Sequence, residues 1–106
     1  MRKFITPFLL AGGLALSGPA LAWECPKHFA EAEAAISKAS DALSMAKGGD
    51  NTALAHTLRD DANMLLASAK HNHEKPAAGL YDHARAIAKA KSAKAYAETA
   101  ADMASR

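Results

Sequence analysis

Apolar residues recur along this chain at alternating spacings of four and three, and two short stretches carrying glycine or proline interrupt them. That pattern predicts three amphipathic helices. Cys25, Phe29, Ala32, Ile36, Ala39, Leu43 and Ala46 form the first stripe. Leu54, Leu58, Ala62, Leu65 and Ala69 form the second, with Leu66 on its flank and Arg59, Asp60, Asn63 and Lys70 toward water. Leu80, His83, Ile87, Ala90, Lys94, Ala97, Ala101 and Ala104 form the third. Lys94 interrupts that last stripe, either as a stem that snorkels to water or where the helix runs past its partners. The predicted helices span residues 27–47, 52–72 and 79–104.

Their limits follow from backbone chemistry. Pro26 suits a first helical turn, where its missing N–H is not needed. Gly48 and Gly49 supply a left-handed stop, and Asp50 or Asn51 is the expected cap of the second helix. Pro76 ends that helix, and the third pattern starts near Gly79. Short connections make successive helices antiparallel neighbours, so the expected fold is all-α, an up-down-up antiparallel three-helix bundle. Alanine is the commonest residue after position 22, so the core is thin. A small domain with such a core often needs a metal, a disulfide or a second copy of itself.

The N-terminus sets the expected compartment. Arg2 and Lys3, the apolar run at residues 4–16 and the small residues around Ala20-Leu21-Ala22 read as a secretory signal peptide of residues 1–22. No stable membrane anchor is then expected after cleavage, and the domain at residues 23–106 is expected to be soluble in the periplasm. Without Arg2 and Lys3 the basic and acidic residues balance, which argues against a nucleic-acid partner. No nucleophile with a base at fixed spacing, phosphate loop or His-Glu-x-x-His is present, so an enzyme is not expected.

The candidate chemistry lies in histidine and cysteine. The stretch at residues 69–83 holds His71, His73 and His83, three of the five histidines, and the chain has one cysteine. Up-down-up topology brings the start of the first helix, the end of the second and the start of the third to one pole. Cys25, His28, His71, His73 and His83 should gather there, with Glu24, Glu74 and Asp82. Imidazole and thiolate are the donors that zinc, copper and nickel prefer. Cys25 and His28, three apart, are neighbours on a helix face. His71 and His73, two apart, point about 200° from one another on a continuous helix, so both can chelate one ion only if the helix frays before Pro76.

Each of these residues also has a structural use. A histidine near a helix C-terminus compensates the dipole, His83 suits a core position, and Asp82 suits a first turn. His56 falls on the solvent side. Cys25 is a ligand, a thiol for an interchain disulfide or a small buried hydrophobe. Covalent haem is excluded, because Cys25 and His28 lack the second cysteine of its attachment motif. Met45 and Met103 are placed to meet at the opposite pole, as gap-fillers or a thioether pair.

His28-Phe29-Ala30-Glu31-Ala32, then Ala39, Ala42, Lys47 and Gly49, then Leu54, His56, Leu65, Ala69 and Lys70 resemble the small metal-binding protein family, exported His-rich helical bundles. His83-Ala84 followed by Ala88 resembles its later repeats. The resemblance implies binding of copper, nickel and other divalent metals, with His28, His56 and His83 as inherited ligands. The chain departs from the family in carrying alanine, lysine or serine at many of the histidine positions and in adding Cys25. Two functions follow as expectations. One is a periplasmic buffer or carrier of a divalent transition metal, copper, nickel or zinc, bound through His28, His71, His73, His83 and Cys25. The other is a non-catalytic helical interaction module or homodimer, disulfide-linked through Cys25.

Overall fold

Glu24 is followed at once by helix, and α1 runs Cys25–Ser44 with Pro26 in its first turn. It begins two residues before the predicted boundary at 27, at the first residue of its apolar stripe, because proline's fixed φ is already helical. The computed structural model describes residues 24–106; the leader expected at residues 1–22 lies outside them. Helix α2 spans Asp50–Glu74 and α3 spans Leu80–Ala104. No strand occurs among the described residues, and the class is all-α.

The helices fold back on one another twice. Arg59 Nη1 donates to Ser40 Oγ at 2.9 Å and Lys70 Nζ to Glu33 Oε2 at 2.6 Å, so α2 runs antiparallel to α1. Lys89 Nζ donates to both Ser68 Oγ and Asn72 Oδ1 at 2.7 Å, which ties the end of α2 to the first half of α3. The result is the up-down-up three-helix bundle, with α3 making the broadest contact to both neighbours.

Twelve of the sixteen buried apolar residues among those described are alanines. Ala86, Ala90, Ala93, Ala97, Ala100 and Ala104 line the whole inner face of α3 at spacings of four and three. Small side chains let helix backbones approach closely, so the line of nearest approach runs through alanine, and larger residues sit beside it. This displaces two of the three expected stripes. In α3 the centre lies at Ala86, Ala93 and Ala100, while His83, Ile87, Lys94 and Ala101 are half-buried shoulders and Leu80 is exposed. In α2 Ala55 and Leu66 are buried, Leu58 and Leu65 move to the flank, and Leu54 is exposed. The stripe of α1 keeps Cys25, Phe29, Ala32, Ala39 and Leu43 buried, with Ala35 at its centre and Ile36 on its flank.

The ends of the helices also differ from expectation. Helix α1 stops at Ser44, and Gly48 and Gly49 form the connection at φ 93° and 111°, values that glycine alone adopts without strain. Gly49 is the residue that precedes α2, and no side chain caps that end; Asp50 lies inside the first turn, where its charge favours the helix dipole. Helix α2 continues unbroken through His71 and His73 to Glu74. No helix among the described residues is long and apolar enough to cross a membrane.

Candidate metal centre

Three helix ends meet at one pole of the bundle, and each contributes one donor. Cys25 opens α1, His73 lies in the last turn of α2 and His83 in the first turns of α3. One ligand atom from each residue lies within 4.8 Å of the other two. These residues are separated by 48 and 10 positions in sequence, so only the double fold-back unites them.

Local structure explains each placement. Cys25 is on the inner stripe of α1 and has no exposed surface; its thiol donates to the backbone carbonyl oxygen of His83 at 3.9 Å, a long bond of the kind sulfur makes. Burial pushes the thiol above its ordinary pKa of 9.0, opposed by a hydrogen bond from its own backbone N–H. His73 sits four residues beyond the buried Ala69, and its Nδ1 is enclosed with no hydrogen-bond partner. Leaving such an atom unsatisfied costs about 1–3 kcal/mol, and a bound cation would recover it. The His73 ring stands edge-on to Phe29 at 5.6 Å and to His83 at 5.5 Å between centroids. Phe29 therefore walls the site from one side.

The remaining candidates fall elsewhere. Because α2 does not fray, His71 points away from His73 and is exposed, so the two do not chelate together. His28 sits on the flank of α1, with its Nδ1 3.7 Å from the Glu31 carboxylate, outside the group of three. His56 is exposed on α2, as its phase implied. Glu24 and Glu74 are exposed too. Met45 and Met103 line one open cleft at the opposite pole, where Met45 is well exposed.

Asp82 takes a more definite part than a first-turn charge. Its Oδ2 accepts the Ala78 N–H at 2.7 Å and its Oδ1 the Arg85 guanidinium at 3.2 Å, which closes the turn between α2 and α3. The Ala78 hydrogen bond, against the cost of burial and with help from Arg85, holds its carboxyl below the usual range. This buried carboxylate is thereby engaged, although it is adjacent to His83.

Lys89, Asn72 and Ser68 were not distinguishable by residue type, since a lysine run ordinarily marks a solvated face. The available signal was Asn72, which continues the buried stripe three residues beyond Ala69. Its side-chain oxygen accepts from Lys89 one residue before His73, so this bridge fixes the position of the α2 end against α3.

A tetrahedral ion bound at ~2.0–2.3 Å holds its donors about 3.3–3.6 Å apart. The three atoms, within 4.8 Å of one another, need therefore close by at most about 1.5 Å, within the reach of side-chain torsion adjustments. The sulfur is enclosed in the chain as folded, so a disulfide to another chain would require local rearrangement at the start of α1. Comparison with family models, curated proteins and solved structures finds no match to this chain.

Proposed function

We propose that this is a periplasmic metal-binding protein, a buffer or carrier of a transition metal (copper, nickel or zinc), with Cys25, His73 and His83 as its ligands. The observation that carries the reading is the convergence of one thiol and two imidazoles, from three separate helices, within 4.8 Å. A thiol and two imidazoles suit borderline-to-soft ions rather than magnesium or calcium. The resemblance of His28-Phe29-Ala30-Glu31-Ala32 and His83-Ala84 to exported metal-binding bundles points in the same direction, as does the apparent leader at residues 1–22.

The thin core gives the ion a second effect. An ion held by all three helix ends binds only the folded chain, so it stabilises the fold by mass action, about 2.7 kcal/mol at a free concentration 100 times the dissociation constant. For a domain of this size that raises Tm by about 10 °C or more. The test is thermal unfolding followed by circular dichroism with copper, nickel and zinc salts and with chelator. Stabilisation by at least one ion, abolished in a His73→Ala, His83→Ala double variant, is expected. If every one of these ions leaves Tm unchanged, the reading fails.

A further inference from the structure

We propose that the Cys25–His73–His83 site selects copper in its monovalent state, Cu(I), in trigonal coordination, over divalent zinc and nickel; this rests on the metal-binding reading above. Donor number is the first argument. The group supplies three ligand atoms, and the other titratable side chains at this pole are turned elsewhere: His71, Glu24 and Glu74 outward, His28 toward Glu31, and Asp82 into Ala78 and Arg85. Structural zinc takes four protein ligands and Ni(II) prefers square-planar or larger sets, so either would have to keep water in a place walled by Phe29. Cu(I) is satisfied by three, and thiolate with imidazole is a soft set that suits it.

Charge is the second argument. One thiolate and two neutral imidazoles make a neutral unit with a monovalent ion, whereas a divalent ion leaves one positive charge. Cys25 has no exposed surface, and no carboxylate belongs to the group. The buried carboxylate next to His83 already has its countercharge in Arg85. An uncompensated charge beside the buried sulfur and two half-buried rings is costly, and the neutral complex lessens that cost. Geometry permits it: trigonal coordination at these bond lengths holds donors about 3.5–3.7 Å apart, and the three atoms already lie within 4.8 Å of one another.

Enclosure of the sulfur adds a third support. A surface thiol in an oxidising compartment is lost to disulfides, but this one meets no second thiol while α1 remains folded. The thiol is thus preserved for a soft ion, which displaces its proton on binding.

The test is anaerobic competition of the purified protein against bicinchoninate for Cu(I) and against chromophoric chelators for Zn(II) and Ni(II), followed by X-ray absorption of the copper form. Cu(I) should bind one per chain, at least about 1,000-fold more tightly than Zn(II), with one sulfur and two nitrogen neighbours. Cys25→Ser should weaken Cu(I) by about 100-fold or more, since loss of a ligand exceeds the 10–100-fold effect of losing an outer contact. His83→Gln, with helicity checked by circular dichroism, provides a second variant that should also weaken Cu(I). Tighter or equal binding of Zn(II) or Ni(II), or four-coordinate copper, overturns the choice of Cu(I) while leaving metal binding in place. Failure of all three ions to bind overturns both.

Discussion

His73 meets His83 edge to face, with ring centroids 5.5 Å apart and planes at 73°, across a turn of residues 75–79. The two rings lie on different helices, yet the turn is so short that the end of α2 and the start of α3 stay side by side. His71, one turn-half away on the same helix, is on the opposite face. His71→Ala and His28→Ala should therefore leave metal affinity within about threefold of the parent, while His73→Ala lowers it by about 100-fold. Isothermal titration of the three variants separates a site of converging donors from a diffuse histidine surface, which would lose affinity equally at every position.

The Cys25 thiol makes both stability and metal binding depend on pH, with opposite signs. Burial raises its folded-state pKa above the 9.0 of the exposed group, so the unfolded chain gives up its proton first. Stability of the metal-free protein is then fully present below pH 9 and falls as pH rises beyond it. Urea unfolding between pH 7.5 and 10.5 should show this loss in the parent, and Cys25→Ala should lack that component. Metal affinity should instead rise with pH, by up to about tenfold per unit, because one proton leaves for each ion bound. Proton release measured in weakly buffered solution checks that stoichiometry.

Asp82 gives the fold an acid limit. Its folded-state pKa lies below 3.8 because the carboxylate accepts the Ala78 N–H and faces Arg85. Its contribution is complete above the unfolded value near 3.8 and disappears as pH falls through the lower, folded one. Asp82→Asn should lower Tm at pH 7 by roughly 5 °C. The deficit should shrink as pH falls below 3.8 and through the lower folded value, where the parent loses its charge as well. A deficit that stays constant across that range would assign the effect to packing.

Lys89 bridges the two helices that carry His73 and His83. Lys89→Met would leave the Asn72 side-chain oxygen, on a residue only 9% exposed, without its donor. The expected cost is about 1–2 kcal/mol in urea unfolding. Adding Asn72→Leu should recover most of it, because a buried polar pair is costly chiefly when half of it is removed. Additive losses in the double variant would show that the two residues act separately.

Much of this architecture could be read directly. Periodicity located three helices, Pro26, Gly48, Gly49 and Pro76 located their limits, and short connections implied the topology that joins Cys25, His73 and His83. What could not be read was rotation about each helix axis. Leu54 and Leu80 look like core residues by hydrophobicity, but alanine determines where backbones come closest, so both stand in water. The structure gathers three of the five candidate ligands, and the other two fall elsewhere for the same kind of reason. Whether α2 would fray near Pro76 decided between His71 and His73, and helix persistence depends on tertiary packing more than on the residues themselves. The Lys89 bridge was likewise invisible, since it depends on a pairing between residues seventeen positions apart.

The alanine face of α3 has a further consequence for the donors at its beginning. Methyl groups leave helices almost touching, and neighbours that near cannot slide past one another without backbone collision. A one-residue slip of any helix would move its donor axially by about 1.5 Å and turn it away by about 100°. The narrow packing that makes the interior so small thus acts as a gauge, keeping three distant segments in register with one another.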